Sequence, residues 1–83
     1  MMDYRFKISL ILLEVLGESG DNPRIFEEDQ NLYEGGIGLD SLDTAAFSVF
    51  LEREFGHDPY SEGFFPQTFG EVIAYYKEHP PVR

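Results

Sequence analysis

Residue types and spacing that could do chemistry concentrate in Gly38-Leu39-Asp40-Ser41-Leu42-Asp43, where a glycine-rich stretch gives way to a helical pattern. A serine in the first turn of a helix sits beside free backbone N–H groups and the positive end of the dipole, which favour a phosphodiester by about 0.3 to 1 kcal/mol. Gly35, Gly36 and Gly38 keep the approach to Ser41 free of bulk, so that another enzyme can dock over it. Taken alone, Asp-Ser at such a junction more commonly just caps the helix. Nucleophilic catalysis by Ser41 would need a base within hydrogen-bond reach. His57 is 16 residues further on, roughly 24 Å along a helix. His79 lies in the C-terminal tail, and no Gly-x-Ser-x-Gly elbow surrounds the serine. Both histidines read as solvated surface residues.

The many carboxylates do not make a calcium loop, which needs alternating oxygen ligands, Gly at the sixth position and Glu at the twelfth. Counted from Asp40, the third and sixth positions are Leu42 and Ala45, and starts at Glu27 or Asp29 put apolar residues and glycines where ligands belong. No metal site is expected. No lysine follows the glycines as it does in a phosphate-cradling loop, which argues against nucleotide binding.

The elements that must position Ser41 follow from periodicity and stop signals. Phe6, Leu10 and Leu13, together with Ile8, Leu12 and Val15, give residues 3–16 a broad apolar helical face, with Asp3 at the N-cap and Gly17 and Gly20 ending the run. From Glu18 to Leu39 the chain reads as a long ordered loop, with Gly20, Asp21, Asn22 and Pro23 at one end and Gly35, Gly36 and Gly38 at the other. Ile25, Phe26, Leu32 and Tyr33 are expected to pin it to the core. A second helix spans Ser41 to Phe55, with Asp40 as N-cap, Asp43 in the first turn and Gly56 at its end. Residues 57–67 allow at most one short turn of helix, anchored by Tyr60, Phe64 and Phe65. Thr68 and Glu71 form a capping box for a last helix, which Pro80 and Pro81 stop.

At 100° per residue, Phe47, Leu51 and Phe55 share one side of the second helix with Phe50 beside it, and form its core stripe. Leu42, Ala46 and Val49 fall on another side, adjoining the line of Ser41, Ala45, Ser48 and Glu52. A small apolar strip bordered by Asp43, Glu52 and Ser41 makes a docking surface, although Leu42 and Val49 could instead pack against the loop.

Composition narrows the class further. Six Lys and Arg against sixteen Asp and Glu leave a formal charge of −10, which repels nucleic acid and attracts partners with basic surfaces. Apolar residues at 42% and aromatic residues at 16% are too many for a disordered acidic tail. There is no cysteine, so disulfides and thiolate metal sites are excluded. The longest unbroken apolar run, Leu10 to Leu13, is far short of the roughly 18 residues a membrane span needs. These features predict one soluble, cytoplasmic, all-α domain over residues 1–83: a small three- to four-helix bundle with a long loop between helices one and two.

From Gly38-Leu39-Asp40-Ser41-Leu42-Asp43 through Thr44 and on to Leu51-Glu52-Arg53-Glu54-Phe55-Gly56, the chain resembles the acyl and peptidyl carrier family, whose signature is Gly, an apolar residue, Asp, Ser and Leu at the start of the second helix. The order of parts matches as well: one amphipathic helix before, a long loop, a short turn, and a last helix carrying Ile73-Ala74-Tyr75-Tyr76. The resemblance implies a bundle of acyl-carrier type, not itself an enzyme. It implies a 4'-phosphopantetheine arm placed on Ser41 by a phosphopantetheinyl transferase. It also implies a monomer whose Asp40, Leu42, Asp43, Ala46, Val49 and Glu52 meet acyl-loading and acyl-processing enzymes through basic docking surfaces.

Some positions depart from typical fatty-acid carriers. Ala46 and Arg53 replace acidic residues, Gly35-Gly36 enriches the loop, and Asp58 to Pro66 replaces a more acidic segment. By resemblance, this suits a dedicated carrier of a bacterial specialised-metabolite pathway, of polyketide or nonribosomal peptide type, better than one of fatty-acid synthesis. The alternative is an acidic adaptor of the same shape with Ser41 unmodified. Eight phenylalanines and five tyrosines further predict rigid packing, with Phe47, Phe50, Phe55, Phe64, Phe65 and Phe69 crowding the space between the second and last helices, and short or polar cargo carried outside.

Overall fold

A computed structural model describes residues 3–18 and 24–82. The expected loop positions Ser19, Gly20, Asp21, Asn22 and Pro23 lie outside the described residues. The described chain is all-helical: α1 (Tyr4–Leu16), α2 (Ser41–Phe55), a single 3-10 turn (Tyr60–Glu62) and α3 (Phe69–Glu78). An isolated antiparallel bridge between Asn31 and Thr68 is the nearest approach to a sheet. None of these helices is long and apolar enough to cross a membrane.

Local chemistry sets the helix ends. The Asp3 side chain accepts from the Phe6 N–H to start α1, and Gly17, with φ of 74°, closes it. Gly56 closes α2 in the same left-handed conformation, its N–H donating to the Glu52 carbonyl at 2.8 Å. Thr68 caps α3 by accepting from the Glu71 N–H at 3.1 Å. The predicted capping box is only half formed, because the Glu71 carboxylate accepts from the Gln67 N–H and not from that of Thr68.

α1 packs against both α2 and α3. Ile8, Leu12, Phe47, Leu51, Phe55, Phe69, Val72 and Tyr76 are buried at the centre, each worth about 1.5 to 3 kcal/mol of apolar transfer for the larger side chains. The rings interlock, with Phe55 and Tyr76 centroids 4.4 Å apart and Tyr4 edge-on to Phe55 at 6.3 Å. The radius of gyration is 11.7 Å, close to the roughly 12 Å expected for a packed domain of this length.

Several expectations about the core are corrected. Phe6 is 60% exposed and Leu10 half exposed, because α1 is apolar on almost every side and its neighbours cover only the side of Ile8, Ile11, Leu12 and Leu13. Ile25 points outward, whereas Ile37 and Leu39, not anticipated, join Phe26 and Leu32 in the core. Phe64 and Phe65 are exposed and do not crowd the space between α2 and α3.

Backbone hydrogen bonds tie the loop before α2 to the start of α3: Leu32 N–H to the Gln67 carbonyl, Phe69 N–H to Gln30 and Gly70 N–H to Glu28, at 2.8 to 3.0 Å. At Gly70 the chains approach so closely that a Cβ would stand 2.8 Å from the Glu28 carbonyl oxygen. Only glycine fits there.

Candidate functional site

The loop that delivers Ser41 folds back on itself. The Gly38 and Leu39 N–H groups donate to the Leu32 carbonyl at 3.2 and 2.9 Å, and those of Gly36 and Gly38 to Tyr33 at 3.0 and 3.1 Å. Gly38 needs its φ of 101° to make the last turn before the helix, and a Cβ there would meet nothing. The expectation that all three glycines leave open space is corrected at Gly36. A Cβ there would run into the Asn31 carbonyl, so this glycine serves close packing.

At the start of α2, Asp40 and Asp43 cap each other. The Asp43 N–H donates to Asp40 Oδ1 at 2.8 Å, and the Asp40 N–H donates to Asp43 Oδ2 at 3.2 Å. The Asp40 carbonyl also accepts from the Thr44 N–H and hydroxyl, both at 2.8 Å. This reciprocal box, of which the sequence showed only the cap and the first-turn acid, frees the neighbouring serine from that duty. Ser41 is exposed, and its hydroxyl and N–H, with the N–H of Leu42, have no hydrogen-bond partner among the described residues. An exposed primary hydroxyl next to unused helix N–H groups can accept a phosphodiester or donate to an anion.

Leu42 is 81% exposed and Val49 53% exposed, which removes the alternative that they pack against the loop. With half-buried Ala46 between them, they form a short apolar strip along the outward side of α2. Asp40 and Glu52 are exposed on its border and Asp43 partly so. Arg53 lies over the Phe50 ring, 5.7 Å from its centroid, and Glu54 pairs with Lys7 at 2.8 Å.

Ser48 belongs to a different arrangement from the surface line read in the sequence. Its hydroxyl donates to Asp58 Oδ2 at 2.6 Å, and the Ser61 N–H donates to the same oxygen at 3.2 Å. Asp58, only 2% exposed, therefore ties the Ser61 N–H of the 3-10 turn to the Ser48 hydroxyl of α2. The Asp-Pro pair was a turn signal that could have revealed it.

His57 is also corrected. It is mostly covered, with Nδ1 2.9 Å from the Tyr75 hydroxyl and Nε2 3.3 Å from the Pro80 carbonyl oxygen, and it packs against the Tyr75 and Tyr76 rings. The Tyr75 hydroxyl donates to Glu62, and the Tyr76 hydroxyl to the His57 carbonyl at 2.8 Å. Burial, foremost, raises the pKa of both phenols above the ordinary tyrosine value. His79, exposed as expected, stacks on Tyr75. His57 follows the C-terminal cap of α2, whereas Ser41 opens that helix, about 21 Å away along its axis. No base serves Ser41 from there. Among the described residues, no group of three or more His, Asp or Glu side chains is placed to hold a metal ion. A groove of about 280 Å³ beside α1, lined by Arg5, Phe6, Leu10, Arg24 and Ile25 among others, includes no residue of α2.

The chain matches no protein-family model, and comparison with curated proteins and with solved structures gives no match either.

Proposed function

We propose that this protein is an acyl carrier whose Ser41 bears a 4'-phosphopantetheine arm, in a pathway of specialised-metabolite rather than general fatty-acid type. The observation that carries the proposal is the division of labour at the start of α2. Asp40 and Asp43 do all the capping, and Ser41 is left exposed with a hydroxyl that the fold does not use. The residues present fit the group. Ser41 would hold it covalently, its N–H and that of Leu42 would be available to donate to the phosphodiester, and Gly38 leaves the approach open. When bound, the arm supplies a terminal thiol on which acyl or aminoacyl units ride as thioesters.

The chain's own part is to present the serine and to be recognised. Leu42, Ala46 and Val49 give a partner enzyme an apolar strip, and Asp40, Asp43 and Glu52 give it negative charge on the strip's border. Other enzymes perform loading and chemistry, so the carrier needs no base near Ser41. Intact mass after incubation with coenzyme A and a broad-specificity phosphopantetheinyl transferase tests the assignment. One phosphopantetheinyl group is expected on the wild type and none on Ser41→Ala, with the helical spectrum of the variant unchanged. No mass gain would overturn it and favour an acidic adaptor, and a gain mapped to Ser9, Ser19, Ser48 or Ser61 would overturn the assignment to Ser41.

A further inference from the structure

Residues 57–67 bridge α2 and α3, and polar contacts fasten them at three places. Ser48 holds Asp58 on the α2 side, and Tyr75 and Tyr76 hold Glu62 and the His57 carbonyl on the α3 side. The third fastening joins the bridge to the loop that delivers Ser41. There the Tyr33 hydroxyl lies 2.7 Å from the Pro66 carbonyl oxygen and 3.0 Å from the Tyr60 hydroxyl. Valence sets the direction. A carbonyl only accepts, so Tyr33 spends its single proton on Pro66 and Tyr60 donates to Tyr33.

The Tyr33 carbonyl in turn accepts the Gly36 and Gly38 N–H groups, three to five residues before Ser41. Beneath this chain of bonds the Tyr60 ring stands edge-on to Phe47 of α2, 6.2 Å between centroids, and Phe65 covers Tyr60 from outside at 6.1 Å. Burial, with the Tyr33 hydrogen bond second, raises the Tyr60 pKa, as expected for a phenol withdrawn from water.

We propose that the Tyr60–Tyr33–Pro66 hydrogen-bond chain is a latch that shuts apolar acyl chains out of the helical core, making this a carrier of short or polar cargo held outside; the inference rests on the carrier assignment above. A chain attached near Ser41 reaches the space between α2 and α3 only by lifting Tyr60 off Phe47. That breaks the Tyr60–Tyr33 hydrogen bond and pulls Tyr60 away from a Tyr33 that Pro66 holds in place, and the packed rings of Phe47, Phe55 and Tyr76 behind it resist entry. Tyr33→Phe keeps the ring and removes both bonds, and Tyr60→Phe keeps the ring and removes the bond that holds Tyr60 to Tyr33, so each frees Tyr60 and opens the passage without emptying the core.

The first arm of the test uses unloaded protein, 1-octanol as probe and backbone amide chemical shifts as readout. Octanol is expected to leave the buried Phe47, Leu51 and Ile73 amides unmoved in the wild type and to shift them saturably in Tyr33→Phe and Tyr60→Phe. The second arm loads Ser41 of wild type and Tyr33→Phe with acetyl or octanoyl, and these amides should distinguish the two cargoes only in the variant. Octanol reaching them in the wild type, or excluded from both variants, overturns the latch. Loss of the helical spectrum in both variants also overturns it, since the bonds would then belong to the fold. Failure to load Ser41 counts against the carrier assignment, and the octanol arm still decides the latch.

Discussion

Asp40 contributes both a cap and a charge beside Ser41, and the two contributions separate by substitution. Asparagine is as good an N-cap as aspartate, so Asp40→Asn should leave stability within a few tenths of a kcal/mol, whereas Asp40→Ala should cost about 1 kcal/mol. Asp40→Asn nevertheless removes one negative charge next to the Ser41 hydroxyl, the attachment point in the proposed carrier. Loading by the transferase is therefore expected to slow at low salt and to approach the wild-type rate above about 0.15 M, where the screening length is near 8 Å. Glu27→Gln, next to the Arg5–Glu28 ion pair and outside α2, serves as the comparison. Loading rates against ionic strength and thermal midpoints measure both effects. Equal slowing by the two variants would show that total charge, and not the patch at Ser41, directs the encounter.

At the scale of elements, the segment between α2 and α3 is too short and irregular to hold itself and depends on side chains from its neighbours. Asp58 is buried with two donors, the Ser48 hydroxyl and the Ser61 N–H. Ser48→Ala leaves that carboxyl one donor short in a place water does not reach, at a cost of about 2 kcal/mol. For a domain of this size that lowers the midpoint by on the order of 10 °C. Ser61→Ala keeps the backbone donor and should change little. Urea denaturation of the two variants compares them, and equal stabilities would mean that Ser48 does not fasten the bridge.

Over the whole molecule, aromatic burial gives stability an alkaline limit. Tyr60, Tyr75 and Tyr76 have pKa values raised by burial above the unfolded value near 10. A raised folded pKa means that the native state prefers the protonated phenol, so its contribution is complete below about pH 10 and is lost as pH rises further. A chain already at −10 adds self-repulsion with each phenolate formed. Cooperative unfolding is expected above pH 10 or so, with the phenolate absorbance of these three tyrosines rising together with the loss of helical signal. Ionisation of all five tyrosines as free phenols with the helices intact would contradict this.

The helix ends were legible in the sequence because they are decided within about four residues. Asp3, Asp40 and Thr68 accept N–H groups three residues ahead, and Gly17 and Gly56 turn the chain out again. The place of Ser41 at the helix start and the core stripe of Phe47, Leu51 and Phe55 followed from the same local geometry, whereas whether Leu42 and Val49 face outward or pack against the loop was settled only by the tertiary structure. Nor did local geometry decide which of the remaining apolar residues go inside. Phe6, Leu10, Phe64 and Phe65 are as hydrophobic as their buried neighbours, and only the placement of other helices leaves them uncovered. The Ser48–Asp58 and Tyr33–Tyr60 pairs join residues 10 and 27 positions apart. No periodicity foretells such contacts, because they exist only once the chain has packed and water has been removed from both partners.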